Sequence, residues 1–205
     1  METKLTVVGI GGSMAARSAS RAALAVALEG AAEAGAETRL IDVRDLNLPM
    51  YSPDRVDILP RAHDYAEAVC GAQALIWSSP LYQGTISGAF KNTLDWLQLL
   101  SDKSPPFLTD KVIGLISTAG GTQGLQAVNT MEFVVRALRG WAVPLVLPIA
   151  RARQAFDEDG RPRDEVVAGQ LHALGREVVR AARQFDTDGF CDYSVPYAGV
   201  DADSA

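Results

Sequence analysis

Three loops rich in glycine, serine and threonine hold the residues of this sequence that are best suited to bind a ligand. Each loop follows a short apolar run typical of a buried strand and precedes a segment with helical periodicity. Backbone amides at the start of a helix, together with short hydroxyl side chains, hold anionic groups such as phosphates. Glycine lets a backbone approach a flat ring closely, and proline fixes one backbone angle. The loops therefore predict a site for a ligand with a phosphate and a ring.

The first loop lies between a strand at residues 4–9 and an alanine-rich helix that ends near Gly35. The start of that helix would offer free N–H groups and a partial positive charge to a phosphate. Met14 stands where the dinucleotide fingerprint needs a third small residue, and no Gly-Lys-Ser/Thr sequence of a P-loop is present. The alternative is a capped helix start with incidental serines. The hydroxyl donors expected here are Ser13, Ser18 and Ser20.

The second loop follows an apolar run at residues 74–77, which is expected to break at Ser78-Ser79-Pro80. Apolar residues recur at helical spacing from Ile86 onward, so a helix is predicted there, capped by Thr85 or Ser87. The alternative is a plain strand–loop–helix unit without a ligand. The residues expected to contact a ring are Pro80, Leu81, Tyr82, Gln83 and Gly84.

The third loop follows a strand at residues 111–117 and precedes another helix. Its two adjacent glycines leave backbone amides exposed, although a simple glycine-rich turn is the alternative reading. The residues expected to contact a ligand are Thr118, Ala119, Gly120 and Gly121.

Strands and helices alternate along the chain, which predicts a parallel sheet with helices on both faces. One domain is expected at residues 1–185, followed by an acidic tail at 186–205 that is either disordered or packed on a partner. Asp42, at the end of the second strand, is interpreted as a turn or surface residue because the glycine fingerprint is missing. The five strands are expected at residues 4–9, 36–43, 74–77, 111–117 and 142–149.

The second loop and its helix carry a family resemblance. The residues Pro80-Leu81-Tyr82, Ser87-Gly88-Ala89-Phe90-Lys91-Asn92 and Leu94-Asp95 resemble the Pro-x-Tyr, Ser-Gly-x-(Phe/Leu)-Lys-Asn and Leu-Asp positions of the NAD(P)H-dependent FMN reductase family. Gly12-Ser13 with its later serines is similar to the family's phosphate loop, and residues 118–122 are similar to its third loop. The resemblance covers about seven-tenths of the chain.

This resemblance implies a flavodoxin-like three-layer sandwich whose five-stranded parallel sheet has the order 2-1-3-4-5. All three loops would then open at one rim, with FMN at the switch point of the sheet. It also implies that the serine loop holds the FMN phosphate and that the third loop faces the flavin pyrimidine edge. Many members carry an arginine two residues after the first serine, where this chain has Ala15, and Arg17 is the expected substitute.

The implied activity is an NAD(P)H-dependent FMN reductase or oxidoreductase. Hydride would pass from the nicotinamide to flavin N5 and onward to free flavin, a quinone, an azo compound or a metal oxyanion. Because the cofactor carries this chemistry, no catalytic side chain is named. A flavodoxin-like electron carrier without nicotinamide activity is the alternative, and a fold member that binds no flavin is a third reading.

The resemblance further implies a homodimer or homotetramer and, for a released flavin, a monooxygenase partner. An apolar surplus around the third helix favours a subunit contact; its residues are Trp96, Leu97, Leu99 and Leu100.

Composition excludes several other classes of protein. A net charge of −6 and a pI near 4.9 argue against a nucleic-acid surface. Two histidines without a His/Cys cluster predict no metal site. The N-terminus does not resemble a signal peptide and no apolar run nears the ~20 residues that span a bilayer, so a cytoplasmic location away from membranes is expected. Cys70 and Cys191 are expected to be reduced.

Overall fold

The structure, a computed structural model, describes residues 5–54 and 59–185 and the backbone of residues 192–196. Five parallel strands form the central sheet in the order β2-β1-β3-β6-β7, so the predicted order 2-1-3-4-5 of the parallel strands is confirmed. The short β4 extends β3 as an antiparallel hairpin, and β5 pairs with β8. The strands are β1 (Thr6–Gly11), β2 (Glu37–Asp42), β3 (Ala74–Tyr82), β4 (Thr85–Ile86), β5 (Lys103–Ser104), β6 (Val112–Thr118), β7 (Trp141–Ile149) and β8 (Asp192–Pro196).

Helices connect the parallel strands and cover both faces of the sheet. A helix follows each of the three loops, as expected, and two further helices are only four residues long. The helices are α1 (Ala19–Glu33), α2 (Val43–Leu46), α3 (Pro60–Gly71), α4 (Gly88–Asp95), α5 (Leu125–Ala137), α6 (Ala152–Ala155) and α7 (Glu165–Ala182), with a 3₁₀ turn at Trp96–Leu100. No helix in the described ranges is both long and apolar enough to traverse a bilayer.

The core consists of two layers, one on each face of the sheet. Alternate residues of each buried strand enter opposite layers, as a pleated strand requires: Trp77 of β3 packs with α3, α4 and α5, whereas its neighbour Ile76 packs with α1 and α7. Glycines bring α1 and α7 into close contact, since a Cβ on Gly175 would lie 2.0 Å from the carbonyl oxygen of Ala27. This tight packing fixes α1, whose first turn borders the first loop.

Three expectations, about the third strand, the third helix and the cysteines, are wrong. The third strand does not break at Ser78 but continues to Tyr82. The apolar residues around the third helix are not a surplus surface, because Trp96, Leu97 and Leu100 are fully buried in the chain's own core. Cys70 is disulfide-bonded rather than reduced; Cys191 lies outside the described residues. Most of the tail at 186–205 also lies outside them, and its domain boundary stays a prediction.

Candidate functional site

The three predicted loops open at the same edge of the sheet, because β1, β3 and β6 are parallel neighbours. A chain of hydrogen bonds joins them. The amide of Gly12 donates to the carbonyl oxygen of Ser78 (3.2 Å), and the Ser78 hydroxyl donates to the carbonyl oxygen of Ser20 (2.8 Å). The hydroxyls of Ser20 and Thr118 share a hydrogen bond of 2.6 Å. The rim is therefore one connected unit, built from the ends of three strands and the start of α1.

The first loop, residues 12–18, is shaped to present its backbone amides. Gly12 has φ +104°, which favours glycine, and a Cβ on Gly11 would lie 2.3 Å from the carbonyl oxygen of Ser78. Ser18 is the N-cap of α1, with its hydroxyl accepting from the amide of Arg21 (3.2 Å). Five amides of the loop have no protein acceptor in the described part of the chain, namely those of Ser13, Met14, Ala16, Arg17 and Ser18.

The polar side chains expected in this loop have different surroundings. Ser13 is buried beside the loop and accepts from the amide of Ala15 (3.3 Å), so its hydroxyl supports the turn. Ser20 is 1% exposed and its hydroxyl already bonds to Thr118, which gives it a structural role at the base of the rim. Arg17 is highly exposed and pairs with Glu158 (3.3 Å). Their contact with a ligand stays a prediction.

An ion pair that the sequence did not lead us to expect lies beside the first loop. Asp42 is 8% exposed, caps α2 through the amide of Arg44 (2.9 Å) and pairs with Arg21 Nε (2.9 Å). It is thus a buried, paired carboxylate, which corrects its interpretation as a turn or surface residue. The pair also borders Gly12, since a Cβ there would lie 2.8 Å from Asp42 Oδ1. The one sign of this pair in the sequence was an acidic residue, Asp42, at the end of the second strand, which lies next to the first strand in the sheet.

The second loop is a tight β-hairpin rather than an irregular loop. Gln83 (φ +50°) and Gly84 (φ +85°) form a two-residue turn between paired Tyr82 and Thr85, the geometry of a type I′ turn. The glycine is therefore explained by the turn itself. Tyr82, at the tip, is 52% exposed, and Leu81 is partly buried. Pro80 is buried within β3, opposite Thr118 of β6, so its contact with a ring stays a prediction.

Hydrogen bonds from Ser79 and Ser87 fix the hairpin onto α4. The Ser79 hydroxyl accepts from the amide of Ser87 (3.1 Å), and the Ser87 hydroxyl accepts from the amide of Phe90 (3.2 Å) as the N-cap of α4. The expected cap is thus confirmed for Ser87. Lys91 pairs with Asp95, four residues further along α4.

Asn92 has a structural role that the sequence does not reveal. Its side-chain amide donates to the carbonyl oxygen of Pro49 (2.8 Å) and its oxygen accepts from the amide of Tyr51 (2.8 Å). The Trp96 indole also donates to Pro49 (2.9 Å) and meets the ring of Tyr51 edge-on at 5.5 Å. These contacts hold residues 47–51 against α4.

The third loop is anchored to the end of β7. The amide of Ala119 donates to the carbonyl oxygen of Ile149, and the amide of Ala152 donates to that of Ala119, both at 2.9 Å. Thr118 and Ala119 are buried at the end of β6, whereas Gly120 is exposed and a Cβ on it would meet nothing within 4 Å. The loop therefore presents Gly120 to open space, beside a segment that begins with Arg151, whereas a Cβ on Gly121 would lie 3.2 Å from Gln123 Oε1.

This donor set fits FMN. Free amides at the start of a 15-residue helix, with Ser18 beside them, suit a phosphate. The Tyr82 ring and the open backbone at Gly120 lie on loops joined to that one by hydrogen bonds, so a ring can be contacted from the same rim. In the described residues no cluster of three His, Cys, Asp or Glu side chains is suited to a metal.

Comparisons with known proteins agree with this arrangement. The family model for "NADPH-dependent FMN reductase" matches residues 5–154. The chain is 33% identical over 161 residues to "NADPH-dependent FMN reductase ArsH" of Acidithiobacillus ferrooxidans, which covers 78% of this chain but only 65% of that relative. It is 30% identical over 182 residues to an NAD(P)H-dependent FMN reductase of Pseudomonas aeruginosa, covering 85% of this chain and 95% of the relative.

A solved structure supports the fold. The apo form of an NADH:FMN oxidoreductase superposes with a TM-score of 0.66 and 21% identity, covering 90% of this chain and 92% of the other. At that identity the likeness establishes the architecture, and a flavodoxin-like fold is confirmed.

Proposed function

Because this chain belongs to the NADPH-dependent FMN reductase family, we propose that it is an NAD(P)H-dependent FMN oxidoreductase. The observation that carries the proposal is the hydrogen-bonded rim, in which free loop amides, an exposed tyrosine and the open backbone at Gly120 meet at the end of the sheet. Ligands bind at this edge in open α/β sheets. The donor is NADPH or NADH, and the acceptor is a small molecule.

The chemistry that FMN would supply, when bound, is acceptance of a hydride from NAD(P)H and transfer of electrons to the acceptor. The chain's own residues would bind FMN and hold it in a fixed orientation. Ser18 and the amides of residues 13–17 would hold the phosphate, and the hairpin from Pro80 to Gly84 would contact the ring. The amides of Gly120 and Gly121 would donate to the pyrimidine edge and stabilise negative charge there. No proton transfer by a side chain is required.

The acceptor decides between two roles within this function. If FMN leaves the protein after reduction, it is a substrate and a flavin-dependent monooxygenase is the fitting partner. If FMN stays bound, a quinone, azo compound or metal oxyanion is the fitting acceptor. We place the activity in the cytoplasm, where reduced nicotinamides are supplied.

We also propose that the chain forms a homodimer or homotetramer. The supporting surface is on α5, where Leu125 and Phe133, 50% and 73% exposed, lie on one stripe with Asn129. Two exposed apolar residues at this spacing favour contact with another copy. Light scattering of the purified protein at micromolar concentration tests this, and a monomeric mass would contradict it.

The test of activity is an anaerobic titration of the protein and FMN with NADPH and then NADH, followed by visible absorbance. Bleaching of the flavin band only when protein is present would support the reductase. A shifted flavin spectrum without bleaching would favour an electron carrier instead, and an unchanged spectrum would exclude both. Desalting after reduction then separates a retained cofactor from a released substrate.

A further inference from the structure

A cleft of about 420 Å³ lies at the rim beside the third loop. It is lined by Gly120, Arg151, Arg153 and Gln154. The end of β6 and the end of β7 are parallel neighbours, with Thr118 opposite Ile149, so the cleft opens at the same edge as the proposed flavin site. It lies one strand further out, toward the edge of the sheet.

The two arginines of this cleft are available to an anion. Arg151 and Arg153 are exposed, and neither forms an ion pair with a carboxylate in the described ranges. By contrast, Arg17 and Arg21 beside the first loop pair with carboxylates. Two uncompensated guanidinium groups in a chain of net charge −6 favour an anionic ligand at this spot. The planar fork of arginine suits the oxygens of a phosphate monoester.

The backbone holds the base of Arg151 in a fixed position. Arg151 has φ +50°, in the left-handed region that few residues adopt. Its carbonyl oxygen accepts from the amides of Gln154 (2.8 Å) and Ala155 (3.2 Å), and its amide donates to the carbonyl oxygen of Gly121 (3.4 Å). The third loop and the arginine segment therefore keep a defined spacing.

With the proposed function as its premise, we infer that Arg151 and Arg153 bind the 2′-phosphate of NADPH and set a preference for NADPH over NADH. The two donors differ only in that phosphate, so discrimination requires a cation outside the hydride-transfer region. An arginine is the usual group for this phosphate in dinucleotide-binding folds. The cleft supplies two such groups next to the loop assigned to the flavin.

The test uses two single variants and a matched control. Arg151→Asn keeps a residue that tolerates the left-handed conformation, and Arg153→Gln removes the second charge. Arg163→Gln removes an exposed arginine outside the cleft, so it reproduces the change in net charge alone. Calorimetry compares 2′,5′-ADP with 5′-AMP, and steady-state assays compare kcat/KM for NADPH and NADH.

We expect each cleft variant to weaken 2′,5′-ADP about 10- to 100-fold, as loss of a charged hydrogen bond predicts, and to leave 5′-AMP unchanged. The kcat/KM for NADPH should fall by a similar factor while that for NADH holds. Equal effects in the Arg163→Gln control, or no change in any variant, would overturn the inference. If the cleft variants lost affinity for FMN but not for riboflavin, the inference would also be overturned, because the two arginines would then bind the phosphate of the flavin.

The calorimetry distinguishes a failure of this inference from a failure of the proposed function. If the wild-type protein oxidises neither nicotinamide but still selects 2′,5′-ADP through the two arginines, the phosphate site stands and the proposed activity fails. If it oxidises both donors and the variants alter neither ligand, the activity stands and the inference fails.

Discussion

Ser18→Asp isolates the electrostatic contribution of the first loop to flavin binding without disturbing the fold. Ser18 caps α1 by accepting from the amide of Arg21 at 3.2 Å. Aspartate is as good an N-cap as serine and favours the positive end of the helix dipole. The substitution therefore preserves the cap and adds one negative charge to the loop that is proposed to hold a phosphate.

The expected penalty follows from Coulomb's law. An anion bound to the amides of residues 13–17 would lie about 6 Å from the new carboxylate, and at an effective dielectric constant of 20–40 one charge pair then costs roughly 1.4–2.8 kcal/mol. The second phosphate charge raises this value and salt lowers it by a comparable amount. We therefore expect the Kd for FMN to rise about 10- to 100-fold.

Riboflavin, which lacks the phosphate, supplies the internal control. Titration by flavin fluorescence should show weakened FMN and unchanged riboflavin, with the melting temperature of the ligand-free protein preserved. Ser18→Ala is the companion variant: it removes the cap and should cost about 1 kcal/mol of stability. Unchanged FMN affinity in the aspartate variant, or an equal loss of riboflavin, would refute the assignment of this loop to the phosphate. Ser20→Asp is unsuitable, because it would bury a charge against Thr118.

Three further predictions concern stability. Tyr65→Phe should raise the free energy of unfolding in urea by about 1–2 kcal/mol, because its hydroxyl is buried without a hydrogen-bond partner in the described part of the chain; a loss of stability would show that the hydroxyl is satisfied. Trp96→Phe should lower the free energy of unfolding, because it removes an indole N–H that forms a hydrogen bond. Gly84→Ala should cost about 1–2 kcal/mol because φ is +85°, while Gly88→Ala, with open space around the new Cβ, should be neutral or stabilising; equal melting temperatures of the two variants would contradict the turn assignment. Burial lowers the pKa of Lys111 to about 8 from 10.5, so the unfolded state binds more protons between those values. The free energy of unfolding should therefore rise by up to about 3 kcal/mol from pH 8 to 10.5. Lys111→Met should flatten this rise, and an identical pH profile in both proteins would contradict it.

The sequence was sufficient for features that depend on local chemistry. Ser87 is confirmed as the cap of α4, because a hydroxyl before a helical apolar pattern satisfies the free amides of the first turn, and Ser18 caps α1 in the same way. The buried strands were found because both faces of a parallel sheet are covered, which leaves continuous apolar runs. Strand order and the shared rim of the three loops followed from the family resemblance together with the handedness of crossover connections.

The extension of β3 through Pro80 was not predictable in this way. Proline usually ends a strand because it lacks a donor, and Ser78-Ser79-Pro80 looks like a loop. In the structure, however, β1 ends at Gly11 opposite Ser78, so β3 has a free edge on that side from Ser79 onward. Pro80 lies there, still paired with Thr118 of β6. Only the length of the neighbouring strand makes that position acceptable.

The sequence by itself determined the long helices, the apolar parts of the five parallel strands and the hydroxyl-rich loops, because spacing and side-chain chemistry act over a few residues. The tertiary structure alone decided which distant groups meet: Asp42 with Arg21, Ser20 with Thr118, and Gly120 with the arginines at 151 and 153. It also decided that Trp96 and Leu97 face inward rather than toward a partner. The physical reason is that burial and charge pairing depend on the neighbours that the sheet brings together, and those neighbours lie tens of residues apart in the chain.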